Sequence, residues 1–195
     1  MHIHVQETRD ELENSLVGNH AGANCHKSES KSSPIANMAR LNLLRGTCCA
    51  HCVHVLDSDI ALLSAHKASV VHCPRSNLKL GSGIAPVQRM LDAGVNVCLG
   101  TDGASSNNNL DMLDELRTAA LLGPLATGDA QSVNAVTAVE MATINGARAL
   151  GLEKEVGSVE IGKCADVIAV DLNRVETQPL NNLYSSLVYA AGRDQ

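Results

Sequence analysis

Val95-Asn-Val-Cys-Leu-Gly-Thr-Asp102-Gly103 is apolar or glycine at five of its first six positions, Asn96 being the exception, and then stops on an acid followed by glycine. Such a run predicts a buried strand. An acid at the carboxyl end of a buried strand sits where parallel α/β proteins gather their chemistry. Asp102 before Gly103 also suits a turn or a helix cap. The surrounding sequence has to separate the two readings.

Outward from this stretch, apolar runs alternate with helical patterns. Residues 2–8 alternate as a strand, and residues 9–16 read as a helix with Thr8 as N-cap and Glu11 three positions on. Residues 18–34 have loop composition and predict the most mobile segment. A short apolar helix after Pro34 carries Ile35, Met38, Leu41 and Leu44. Then come a strand over 47–53, a helix over 58–67, a strand over 69–73, a loop over 74–83 and a helix over 84–93. Beyond the opening strand lie a Ser/Asn-rich loop (104–109), a helix over 110–122, a turn at Gly123-Pro124 and one long helix over 133–150. Four β-α units with short connections predict an α/β fold with a parallel sheet. From Gly151 the pattern changes: residues 157–163 read as strand and turn, and 165–171 as another strand. The expected division is therefore 1–152 for the β/α part and 153–195 for part of a small β domain.

Composition narrows the functions. The 195 residues carry a formal net charge of −6 without basic clusters, which argues against nucleic acid or an anionic membrane as partner. Tyr184 and Tyr189 are the only aromatics, so most of the chain offers no ring for base stacking. No run reaches membrane-spanning length and the start does not read as a signal peptide, so a cytoplasmic protein is expected.

Seven cysteines, an odd number, argue against a disulfide framework. Cys49-Ala-His-Cys52 has CxxC spacing, but inside a strand residues three apart face opposite sides. The cysteines read as small buried hydrophobes. His20, Cys25 and His26 in the polar loop lack the regular spacing of a metal site.

Chemistry is expected where strand ends meet. His4 and Glu7 close the first strand, His51 the second and Asp102 the fourth, and in a parallel sheet all carboxyl ends share one side. Imidazoles and a carboxylate suit zinc or iron, which activate water near neutral pH. Glu7 and His51 then remain for proton transfer. His72 on the third strand has similar placement but serves equally as a core histidine. His54 and His66 read as surface or helix-end residues. Lys79-Leu-Gly-Ser-Gly83 lacks the Walker pattern and reads as a Gly-permitted loop lining a pocket.

Taken together, His4-Val-Gln-Glu7-Thr8, Ala50-His51-Cys52, His72-Cys-Pro-Arg-Ser-Asn77-Leu-Lys-Leu-Gly-Ser-Gly83-Ile-Ala-Pro86 and Gly100-Thr-Asp102-Gly103 resemble the amidohydrolase superfamily. The likeness is to its cyclic-amidine branch, the 5′-methylthioadenosine/S-adenosylhomocysteine deaminases. It extends through residues 141–152 and 157–166. The resemblance implies a (β/α)₈ barrel with a flanking β-sandwich and one divalent metal, usually zinc. By it, His4 and Asp102 are metal ligands, Glu7 protonates a purine ring nitrogen, His51 polarises the attacking water and Asp102 shuttles its proton. Glu7 and Asp102 would also hold the substrate, a purine nucleoside that loses ammonia by hydrolysis of a C–N bond other than a peptide bond.

The family also carries a His-x-His pair on its first barrel strand. His2-Ile-His4 imitates it, but the following Val-Gln-Glu-Thr places His4 on the fifth strand and leaves His2 incidental. The expectation is a partial TIM barrel, about strands five to eight, from a C-terminal fragment that lacks two metal ligands and turns over little alone. Alternatives are a deaminase or chlorohydrolase of guanine, cytosine or triazine rings, and a non-catalytic half-barrel that pairs with a second copy as a homo-oligomer.

Overall fold

The computed structural model describes residues 1–18 and 31–194. His20, Cys25 and His26, and most of the segment expected to be mobile, lie outside the described residues. Four strands, β1 (His2–Val5), β2 (Cys48–His51), β3 (Ser69–His72) and β4 (Asn96–Leu99), form one parallel sheet in the order β1-β2-β3-β4. Each is four residues long.

Register explains which residues go to the core. Ile3, Cys49, Val70 and Val97 align across the sheet, as do His4, Ala50, Val71 and Cys98 one step on. Side chains alternate between faces. The Ile3 row, with Val5 and Leu99, meets the helices α2 (Pro34–Arg40), α3 (Asp57–Ala65), α5 (Val87–Asp92), α7 (Met112–Thr127) and α8 (Ala135–Ala142) in one hydrophobic cluster. The His4 row lies on the other face, where His4 is exposed and Ala50 and Val71 are half-buried. Toward the amino-terminal ends of the strands, α9 (Ile144–Leu150) covers that face. Asn96 Nδ2 donates to Asn145 O at 3.0 Å, and Asn145 Nδ2 to Val97 O at 3.0 Å.

The first helix, α1 (Arg9–Val17), starts as expected: Thr8 Oγ1 accepts from Glu11 N at 3.3 Å. Elsewhere the sequence reading needs correction. Residues 74–83 are not all loop, because α4 (Pro74–Leu80) opens with proline in its first turn and ends on Gly81 at φ +70°. Both residues are helix punctuation there rather than breakers. The Ser/Asn-rich loop contains a short helix, α6 (Ala104–Asn107).

Helix α7 runs through Pro124. Gly123 serves packing rather than a turn, since a Cβ there would lie 2.7 Å from Val133 Cβ. The single helix expected over 133–150 breaks at Thr143 (φ −126°, ψ −96°), whose Oγ1 bonds back to Val139 O at 2.7 Å and bends the chain.

The strands expected over 157–163 and 165–171 are absent among the described residues. A strand needs a neighbour for its backbone groups, and this segment has none; Ile161 and Ile168 stand fully or almost fully exposed. Within the expected β domain the chain instead forms a 3₁₀ turn (Val175–Thr177) and α10 (Leu183–Tyr189). Helix α10 returns to the β/α part: Val188 joins the main core, and Arg117 Nε donates to Val188 O at 3.2 Å. No helix among the described residues is long and apolar enough to cross a membrane.

Candidate metal centre

Three of the four strands end in a backbone twist that ordinary residues avoid. Gln6 after β1 has φ +51°, His51 closing β2 has +71° and Cys52 +46°, and Asp102 after β4 has +60°. Such strain concentrates at functional sites. Here it has a visible effect. His51 aligns with Val5, whose side chain enters the core, yet the twist swings its ring to the His4 side. His51 Nε2 lies 3.1 Å from His4 Nδ1, with the rings edge to face. Glu7 Oε2 stands 3.8 Å from the same Nε2, and Ser82 Oγ donates to Glu7 Oε1 at 3.2 Å. One ligand atom from each of His4, Glu7 and His51 falls within 4.8 Å of the others. Two imidazoles and a carboxylate, open to solvent at His4, are groups that can ligate a metal or move protons.

Asp102 is outside that trio but tied to it. Ser76 Oγ donates to Asp102 Oδ2 at 2.6 Å, while its neighbour Asn77 accepts from His51 Nδ1 at 2.8 Å through Oδ1. The first turn of α4 thus links the ends of β2 and β4. Burial pushes the Asp102 carboxyl up, but donors from Ser76, Gly103 and Ser106 and the nearby His51 outweigh it and hold Asp102 below the usual carboxylate range. The loop carrying Asp102 is anchored from behind: Asn107 Nδ2 donates to Thr101 O at 2.7 Å and to the buried Glu115. Burial raises the Glu115 carboxyl above its ordinary value despite these donors. At Gly100 a Cβ would lie 2.7 Å from Val71 Cγ1, so only glycine lets β4 exit there.

Ser76, Asn77, Ser82 and Glu115 were missed by the sequence reading. Ser76, Asn77 and Ser82 lay inside a motif taken as a loop. The available signal was proline in the first turn followed by two polar residues on the inward side of a helix.

With the Asn77 oxygen toward the ring, His51 carries its proton on Nδ1 and turns the Nε2 lone pair to the site. In Asn77→Leu the His51 N–H loses its acceptor. Its ring proton, visible by NMR while hydrogen-bonded, is expected to exchange with water and disappear.

His72 takes the core reading. It lies on the helix side of β3, is 1% exposed, and burial, with a lesser push from His51, lowers its pKa to about 4. An unfolded chain takes up this proton near pH 6.5, whereas the folded one resists to about 4. Stability is therefore complete above pH 6.5 and falls as pH drops toward 4, by about 3 kcal/mol. Urea midpoints across this window should drop in the wild type, and by clearly less in His72→Leu.

The CxxC pair also departs from expectation. Because β2 ends at His51, Cys52 turns back against Cys49, and its Sγ lies 3.7 Å from Cys49 O. The mutual thiol hydrogen bond lowers Cys49, while the same bond and burial raise Cys52. Both are fully buried, as are Cys48, Cys73 and Cys98, whereas Cys164 is exposed. His54 is no simple surface residue, since its Nε2 meets Ser82 O at 2.7 Å.

Consecutive parallel β/α units with imidazole and carboxylate groups at the strand carboxyl ends define the class of TIM-barrel-like α/β proteins. Residues 1–193 match the amidohydrolase family, and the chain belongs to that family. It is 52% identical over 192 residues to the 5-methylthioadenosine/S-adenosylhomocysteine deaminase of Moorella thermoacetica, covering 98% of this chain and 42% of that protein. The enzyme of the same name from Teredinibacter turnerae is 50% identical, covering 97% of this chain and 40% of that one. The fold matches the crystal structure of an adenosine deaminase from Xanthomonas campestris with bound zinc. There the TM-score is 0.91 at 42% identity, with all of this chain and 42% of that one covered. The chain thus spans about two-fifths of the length of the relatives it matches.

Proposed function

We propose that this chain forms strands five to eight of a metal-dependent barrel that deaminates 5′-methylthioadenosine or S-adenosylhomocysteine. The observation that carries the reading is the gathering of His4, Glu7 and His51 within 4.8 Å at the strand ends. Residues 153–195 would belong in part to a β domain whose other strands lie elsewhere in the protein. The free cysteines accord with a reducing cytoplasm.

His4 and Asp102 would hold the metal. Glu7 and His51 are each oriented by a further partner, Ser82 and Asn77, and are left for proton transfer. When bound, a divalent metal supplies the Lewis acidity that makes water a nucleophile near neutral pH. His51, whose Nδ1 is held by Asn77, would orient that water through Nε2. Asp102, kept ionised, takes the water's proton. Glu7 in its acid form gives a proton to the ring nitrogen beside the carbon under attack, so charge does not build on the ring. The Asp102 proton then goes to the departing amino group. The remaining proton of the attacking oxygen leaves as the ring carbonyl forms and restores the acid form of Glu7. Water and the amine thus yield a ring carbonyl and ammonia, and the protons balance.

The E. coli guanine deaminase, at TM-score 0.78 and 28% identity, makes guanine the comparison substrate. The test is zinc content and ammonia release from 5′-methylthioadenosine, S-adenosylhomocysteine, guanine and a chlorotriazine. It is run on this chain alone and with the amino-terminal half of a relative added. The expected result is little zinc and little turnover alone, and release from the adenosine compounds when complemented. Preference for guanine would overturn the substrate, and stoichiometric zinc with steady turnover by the chain alone would overturn its role as part of a site.

A further inference from the structure

Glu115, on α7, is completely buried, and its two oxygens go to two different segments. Oε1 accepts from Asn107 Nδ2, which also donates to Thr101 O at 2.7 Å, next to Asp102. Oε2 accepts from Arg75 N at 3.2 Å. Arg75 is the second residue of α4, where a helix N–H has no partner within the helix. The next two residues reach the site: Ser76 donates to Asp102 and Asn77 accepts from His51. One carboxylate thus pins the loop after β4 and the first turn of α4 to the same helix.

We infer that Glu115 is a positioning residue: it sets Asp102 and His51 relative to each other by fixing the supports of both, with a hydrogen bond to neither. A buried charge is costly unless donors meet it. Both partners here are donors, so a carboxylate satisfies them together. An amide has one acceptor oxygen and would set its own N–H against the other donor. The loop held through Asn107 is strained, with Asp102, Asn108 and Leu110 at φ +60°, +72° and +53°. Such backbone persists only where its surroundings over-determine it, and Asn107 lies between these residues. The Arg75 guanidinium bonds to Asp114, which holds that side chain but not the backbone leading to Ser76. What Asp102 and His51 do rests on the proposed deamination; how they are held does not.

The experiment follows two NMR signals of the full chain, the His51 Nδ1 proton and the Asp102 carboxyl carbon, with the methyl of the buried Met90 as a reference in the core. Glu115→Gln is expected to move at least one of the two and to leave Met90 in place. Asn107→Ala, which cuts only the loop arm, should move Asp102 and leave the His51 proton. In the chain complemented with the amino-terminal half of a relative, Glu115→Gln should lower kcat for 5′-methylthioadenosine about 10–100-fold with KM little changed. Both signals unmoved in Glu115→Gln, both moved by Asn107→Ala, or an unchanged kcat would each overturn the inference. An unaltered complemented chain that releases no ammonia would count against the reaction instead, and the two signals still decide on Glu115. Where Glu115→Gln does not fold, hydrogen exchange in the unaltered chain decides. The Arg75 amide, bonded to a buried carboxylate, is expected to exchange about 10–100-fold more slowly than an open-chain amide, and exchange at the open rate would overturn the inference.

Discussion

Asp59→Ala is expected to destabilise the fold by about 3–5 kcal/mol. The carboxylate is completely buried on α3 and accepts three hydrogen bonds from three parts of the chain. Ser33 Oγ at the start of α2 donates to Oδ1, while Gln6 Nε2 at 3.0 Å and Leu56 N at 2.9 Å donate to Oδ2. Gln6 in turn accepts from Ile35 N at 3.1 Å and donates to His54 O at 2.7 Å. Alanine leaves three donors without an acceptor where water cannot follow. A loss of this size is a large part of the roughly 5–15 kcal/mol that holds a domain folded. Urea unfolding measures it; Asp59→Asn, which keeps an acceptor, should fall between the two. A change under about 1 kcal/mol in Asp59→Ala would show that these bonds are not what fixes the end of β1. The site depends on them as well, because the strained Gln6 lies between Val5 and Glu7 in the chain.

The four strands were legible because each is a short apolar run closed by a polar residue, and such runs have one stable home in a sheet covered by helices. Asp102 was legible for the same reason, as the polar stop after Val95–Leu99. The helix α4 was not, because Pro74 and Gly81 break structure in most settings and only their spacing marks them as its two ends. The buried polar residues were hidden for a deeper reason. Asp59 and Gln6 are 53 residues apart in sequence, and Asn77 and His51 are 26 apart. A polar residue in a helical pattern reads as solvent-facing until its partner is known. The apolar segment 157–171 shows the converse: alternation there suggests strands, but a ladder is a property of two segments, and no partner for this one is present among the described residues.

Glu7→Gln separates stability from chemistry at the same strand end and tests the assignment of the proton donor. Glutamine has the shape of glutamate, so Ser82 Oγ can still donate to its oxygen as it does to Glu7 Oε1 at 3.2 Å, and folding stability should move by less than about 1 kcal/mol. What the amide cannot do is give up a proton in the acid form and take one back as the ring carbonyl forms. By the proposed reaction, kcat for 5′-methylthioadenosine in the complemented chain is expected to fall about 10²–10⁴-fold, while KM changes little, because hydrogen bonding to the ring survives. A rise in KM at constant kcat would assign Glu7 to holding the substrate alone. An unchanged kcat and KM would remove it from the reaction, and the proton would then have to come from His51, the other titratable group within 4.8 Å that an amide at position 7 leaves intact besides His4.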